Sequence, residues 1–341
     1  MSFQQIQKIP LAQEILAEIP LPDDLRQIKA NRDIEISDIF TGKSNKFLLI
    51  IGPCSAHDEH AVYEYCEKLA KLQEKVQERL ILIPRIYTNK PRTTGEGYKG
   101  MAHQPDLSKK PDIVEGMKAI RKMHLKVLKD THLTSADEML YPENYPYLED
   151  LLSYVAVGAR SVENQQHRLT CSGVDVPVGM KNPTSGDLEV MLNSINATQK
   201  QHIFFYNGWE VETTGNPLAH AILRGAVNSY NTCIPNYHYE DLIRLTEKYL
   251  NRNLSNPAIV IDTNHANSNK CYDQQPRIAQ EVLYVKKHNS ILNNIIKGLM
   301  IESFLVEGSQ KATENVYGKS ITDPCIGWDD TEKLVFNCAN S

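Results

Sequence analysis

Short, largely apolar runs alternate along this chain with longer segments in which apolar side chains recur every three or four positions. The runs lie at 47–51, 80–83, 133–136, 154–157, 176–180, 203–206, 258–261 and 295–301. Each reads as a strand buried on both faces, because it does not alternate with polar residues. Between the runs, sets such as Val62, Tyr65, Leu69 and Leu72, or Ile113, Met117, Ile120 and Leu128, fall on one face of a helix. Eight strands with intervening helices in about 300 residues have the size and rhythm of an α/β chain folded as a (β/α)8 TIM barrel. A doubly wound open sheet is the alternative this pattern leaves. The connections 88–112 and 207–238 are longer than a barrel needs, so they read as elaborated loops or small hairpins, the second of them following strand 6.

Residues 1–45 have a different character. Pro10, Pro20 and Pro22 punctuate short amphipathic pieces, and a polar stretch at 42–45 precedes the first run. The expected organisation is an N-terminal extension over 1–45, packed on or away from a barrel over 46–341.

Composition narrows the partners. In 341 residues, 37 Lys and Arg against 42 Asp and Glu leave a net charge of -5, which argues against a nucleic-acid partner. No apolar run approaches the roughly 18 residues of a membrane span, and the first ten residues lack the apolar core of a signal peptide. The seven cysteines include no C-x-x-C pair and fit reduced thiols. A cytoplasmic protein is expected.

In a barrel the active site is assembled from strand C-termini. Run one leads into Gly52-Pro53-Cys54-Ser55, run two into Arg85 and run three into Glu138. Run four leads into Arg160, run five into Lys181, run seven into His265 and run eight into Glu302; Arg224 ends the extra segment 218–223. Arg85, Lys90, Arg92, Arg160, Lys181 and Arg224 would therefore crowd one mouth. Like charges a few ångströms apart repel by about 1 kcal/mol per pair even when well screened, so such a cluster calls for anionic ligands, phosphates and carboxylates above all. Cys54, His265, Glu302 and Asp323 offer a thiolate, an imidazole and two carboxylates, a set suited to a divalent transition metal rather than to Mg2+ or Ca2+. On pattern alone a single Cys or His beside a strand is more often a packed core residue.

The same residues carry a resemblance. Ile51-Gly52-Pro53-Cys54-Ser55, Lys90-Pro91-Arg92-Thr93-Thr94, Gly158-Ala159-Arg160-Ser161, Gly179-Met180-Lys181-Asn182, Leu223-Arg224-Gly225, Asn264-His265-Ala266-Asn267-Ser268, Ile301-Glu302-Ser303 and the segment from Tyr317 to Asp323 stand in order. As a set they closely resemble type I 3-deoxy-D-arabino-heptulosonate 7-phosphate (DAHP) synthases, from about Lys46 to the C-terminus. The resemblance implies the barrel fold and the first step of the shikimate pathway to aromatic amino acids, condensation of phosphoenolpyruvate with erythrose 4-phosphate to DAHP and phosphate. It implies Cys54, His265, Glu302 and Asp323 as ligands of a divalent Mn2+, Fe2+, Co2+ or Zn2+ ion. Arg85, Lys90, Arg160, Lys181 and Arg224 would hold phosphoenolpyruvate, and Arg92 with Thr93 the phosphate of the tetrose. Lys90 would serve as proton donor, while Glu138 would orient water or else pair with an arginine. A homodimer or homotetramer is implied, with the extension supplying oligomer or regulatory contacts. Three rivals are a synthase that takes arabinose 5-phosphate, a Schiff-base aldolase using Lys181, and a non-catalytic sensor of phosphorylated metabolites.

Overall fold

The computed structural model describes residues 2–341. Eight parallel strands form the frame: β1 (Phe47–Gly52), β2 (Leu80–Pro84), β3 (Ser135–Glu138), β4 (Leu152–Val157), β5 (Val178–Lys181), β6 (His220–Leu223), β7 (Ile259–Asp262) and β8 (Ile296–Glu302). Apart from β2 and β3, sequence neighbours pair with one another, and β8 returns to β1, with Leu48 opposite Gly298 and Gly52 opposite Glu302. Between β2 and β3 the ladder shrinks to one bridge, Arg85 to Ala136, where the Ile86 N–H donates to the Ala136 carbonyl at 2.9 Å. The barrel closes there.

Seven of the eight expected runs overlap these strands; the run at 203–206 does not. Ile203–Tyr206 pairs antiparallel with Trp209–Glu212 in a hairpin outside the barrel, and the sixth barrel strand is His220–Leu223, within the segment read as extra. The hairpin thus precedes the sixth strand. A smaller one, Ala226–Val227 with Cys233–Ile234, does follow it.

Alternation along the strands sorts the apolar residues into two layers. Leu48, Ile50, Ile81, Ile83, Tyr154, Ala156, Ile222, Val260 and Met300 fill the barrel interior. Their neighbours Leu49, Ile51, Leu82, Val155, Leu223 and Ile261 pack outward against the helical ring. Gly179 of β5 makes room inside, since a Cβ there would lie 2.3 Å from both the Ile222 Cδ1 and the Tyr154 hydroxyl.

The N-terminal segment packs on the barrel. Helix α1 (Ala12–Glu18) lies against the turn Pro142–Tyr147, while α2 (Asp23–Phe40) sends Ile36, Ile39 and Phe40 into the interior layer. Arg121, fully buried in the helix Ile113–Thr131, fastens the junction: it donates to both Asp150 oxygens at 2.6 and 2.9 Å, to the Ile19 carbonyl at 2.7 Å and to the Tyr147 carbonyl at 3.0 Å.

Candidate active site

The strand ends opposite α2 converge on one mouth. Past β1 the chain places Cys54; β8 ends in Glu302; the long connection after β8 returns with Asp323. One ligand atom from each of Cys54, Glu302 and Asp323 lies within 4.8 Å of the others. Cys54 and Glu302 are buried, and Asp323 is half-buried. Burial and the Glu302 charge push the Cys54 thiol up, against the opposing pull of Lys90, whose Nζ donates to Sγ at 3.2 Å. A bound cation would reverse that balance, since a metal deprotonates a coordinating thiol.

His265 is not in this close group. It sits at a left-handed backbone position, φ 52°, and its Nδ1 lies 2.9 Å from the Asp262 Oδ2. The structure therefore brings together three of the four expected ligands and turns the fourth toward the carboxylate of Asp262.

Glu302 is gripped at both oxygens. Arg85 Nη2 donates to Oε1 at 2.9 Å, and Asn264 Nδ2 donates to Oε2 at 2.5 Å. Arg85 is 1% exposed, also donates to the Pro53 carbonyl, and lies 3.7 Å over the Tyr87 ring. Lys90 and Lys181 stand 5.8 and 5.7 Å from the same ring, so Tyr87 presents a π face to three of the expected cations.

Lys181, at the end of β5, lies 3.7 Å from Glu138 and 3.5 Å from Asp262. Burial would raise both carboxyls; at Glu138 the charges of Lys181, Lys90 and Arg85 outweigh it, and at Asp262 those of His265, Lys181 and Arg224 do. Both are held below the usual range, Asp262 far below it, and act as carboxylates. Gly158 lets β4 pass beside Glu138, for a Cβ there would stand 2.7 Å from Oε1. Arg224 is 8% exposed with a buried Nη1 that has no partner, and burial pulls its guanidinium down. A desolvated donor without a partner is suited to an anion.

Arg160 is exposed on the turn after β4. Arg92 is half-buried, donating from Nε to the Tyr98 carbonyl at 2.8 Å, and Thr93 is exposed beside it. Their loop is pinned to the site by the Lys90 N–H, which donates to the Lys99 carbonyl at 3.0 Å.

The residues missed from sequence are Tyr87, Asp262 and Asn264. Asp262 was within reach, since it ends β7 as Glu138 ends β3. Tyr87 and Asn264 lie just past strand ends; Asn264 stands in the motif at 264–268, but nothing in either residue type marks its role. No helix among the described residues is long and apolar enough to cross a membrane.

A closed parallel barrel with cations and a thiol-carboxylate group at its strand ends defines a (β/α)8-barrel enzyme of anionic substrates. Residues 24–335 match the DAHP synthetase I family, and the chain belongs to it. It is 38% identical over 314 residues to the Trp-sensitive phospho-2-dehydro-3-deoxyheptonate aldolase of Buchnera aphidicola, covering 90% of this chain and 87% of that one. It is 36% identical over 332 residues to the Tyr-sensitive enzyme of Escherichia coli, covering 95% and 90%. The solved structure of the phospho-2-dehydro-3-deoxyheptonate aldolase from Francisella tularensis superposes with a TM-score of 0.91 at 30% identity, over 99% of this chain and 98% of that one.

Proposed function

We propose that the chain condenses phosphoenolpyruvate with erythrose 4-phosphate to give DAHP and inorganic phosphate, in a metal-dependent reaction at the mouth described above. The observation that carries this reading is the meeting, at one set of strand ends, of buried Arg85, Lys181 and Arg224, the last with an Nη1 that has no partner, and the Cys54, Glu302 and Asp323 donor group. One thiolate and two carboxylates fit a divalent transition ion such as Mn2+, Fe2+, Co2+ or Zn2+, with His265 as a fourth ligand one residue beyond Asn264. When bound, such an ion supplies Lewis acidity toward an aldehyde oxygen.

The chain's own groups account for the rest. Arg224, Lys181, Arg160 and Lys90 hold the carboxylate and phosphate of the enol phosphate, and buried Arg85 adds its field from beneath. Arg92 and Thr93, on the exposed loop, take the phosphate of the tetrose. Their charges persist through the reaction, so these residues chiefly position the enol carbon against the aldehyde. As that bond forms, the aldehyde oxygen gains a proton, and Lys90 Nζ is the donor. Water then adds to the former enol carbon and phosphate leaves with its C–O bond broken. Glu138, ionised and beside Lys181, orients that water. Lys181 is engaged by two carboxylates, which opposes its use as a Schiff-base nucleophile.

Residues 46–341 serve as the catalytic barrel and 1–45 as an extension for contacts between copies in a cytoplasmic homodimer or homotetramer. Phe3 and Ile6 support that role, being more than nine-tenths exposed at 95% and 92%. The test of the reaction is phosphate release by chelator-stripped protein with and without Mn2+, using erythrose 4-phosphate and, in parallel, arabinose 5-phosphate. Turnover restored by Mn2+ with the tetrose alone is expected. Turnover with the pentose instead would reassign the acceptor, and none with either would leave a phosphometabolite sensor.

A further inference from the structure

Asn264 is 1% exposed, and each of its polar side-chain atoms is committed. Its Nδ2 donates to Glu302 Oε2 at 2.5 Å and to the Pro324 carbonyl at 3.3 Å. Neither acceptor has a proton to give, so the amide nitrogen must face them. The amide oxygen accepts from the Ser268 hydroxyl at 2.8 Å, which locks that orientation. The Asn264 backbone N–H donates to the Asp262 Oδ1 at 3.0 Å and fixes the turn on which the side chain stands.

We propose that Asn264 is a positioning residue for the cation group, setting the spacing between Glu302 and the segment that carries Asp323. Pro324 follows Asp323 directly, so one amide ties the two carboxylate-bearing segments together. Arg85 makes the matching tie on the other side, from Glu302 Oε1 to the carbonyl of Pro53, which precedes Cys54. Two donors thus link three segments far apart in sequence through the two oxygens of one carboxylate. Without a cation, the carboxylates of Glu302 and Asp323 repel each other. Donors fixed on Glu302 hold the group at its spacing before any ion arrives, and such supporting bonds typically govern metal affinity.

This rests on the reading of Cys54, Glu302 and Asp323 as a cation site, and the experiment separates the two. Mn2+ dissociation constants are measured by titration of the full chain as wild type, Asn264→Asp, Ser268→Ala and the double variant, with thermal melts of each metal-free protein. Asn264→Asp keeps the shape of the side chain, replaces the donor by an acceptor and sets a negative charge against Glu302. It should weaken Mn2+ binding about 10- to 100-fold. Ser268→Ala removes the support of the amide oxygen, loosens the side chain on its two acceptors and should weaken binding in the same direction by a smaller factor. The double variant should bind no more weakly than Asn264→Asp, because the short bond of the Ser268 hydroxyl is to the amide oxygen at 2.8 Å and its contact with the His265 carbonyl is a long one at 3.5 Å. Asn264→Asp within twofold of wild type, or losses that multiply in the double variant, would overturn the proposal. Should the melts show Asn264→Asp unfolded, Ser268→Ala decides alone, and wild-type affinity there overturns it. Wild-type protein that binds no Mn2+ would bring down the cation-site reading and this proposal together, whereas binding that the variants leave untouched would bring down this proposal only.

Discussion

Lys181 shows how much of the site's electrostatics one residue supports. Its ammonium stands between Glu138 and Asp262, at 3.7 and 3.5 Å, with all three side chains nearly excluded from water. Replacing it by Met, a side chain of similar length without charge, leaves two buried carboxylates short of their shared cation. Removing one partner of a buried ion pair costs about 3 to 5 kcal/mol, so Lys181→Met should lose about 3 kcal/mol in urea unfolding, together with its hold on the enol phosphate. A loss below about 0.5 kcal/mol, the size usual for surface changes, would mean that Arg85, Lys90 and Arg224 already neutralise the pair. The strand-end rule found Lys181 and Glu138 from sequence because apolar runs point to where strands stop. It found the residues without their pairings, since a run of Val, Gly and Met says nothing about which carboxylate a following lysine will meet across the barrel.

The sixth strand is where pattern and structure part. Ile203-Phe204-Phe205-Tyr206 has the aromatic and β-branched character of a strand, and it is one, but exposure alternates along it. Asn207-Gly208, at φ 49° and 82°, follows at once and makes the turn that two-residue hairpins favour. That dipeptide was the available signal. His220-Ala221-Ile222-Leu223 carries little strand propensity and enters the barrel because its side chains fit there, Ile222 opposite Val260 and Lys181. The assignment can be read in stability: Ile222→Ala, fully buried, should cost about 2 to 5 kcal/mol, whereas Phe205→Ser, at 88% exposure, should change the folding of a protomer by less than about 0.5 kcal/mol. Equal losses would place the hairpin in the core. The end of β4 makes a finer demand. Gly158→Ala would thrust a methyl group 2.7 Å from Glu138 Oε1 and displace the carboxylate. Misplacement of about 1 Å costs on the order of 10²-fold in turnover, so kcat should fall that far with KM for phosphoenolpyruvate changed much less.

At the scale of the whole molecule, the N-terminal helix and the barrel share one interior, and His220 sits at their seam. Its Nε2 is 2.7 Å from the Tyr154 hydroxyl of β4, its Nδ1 is 2.9 Å from the Leu218 carbonyl, and its ring stacks 4.4 Å from Phe40 of α2. Proline and polar signals in the sequence set residues 1–45 apart from the barrel by composition. They could not show that Ile36, Ile39 and Phe40 complete the interior, because a plug is defined by the cavity it enters. Burial lowers the His220 imidazole from 6.5 to about 4. In the unfolded chain the same ring takes a proton near its ordinary value, so between those two values the unfolded state binds one proton more than the native state. Stability therefore falls as pH drops through this window, by about 1.4 kcal/mol per pH unit and about 3 kcal/mol in all. Comparing wild type with His220→Gln cancels the carboxylates common to both. The difference between their unfolding free energies should be flat above pH 7 and should shift against wild type by about 3 kcal/mol on reaching pH 4. Parallel curves across that range would mean that His220 takes up its proton without breaking the packing of α2, and that the seam between extension and barrel is looser than its contacts indicate.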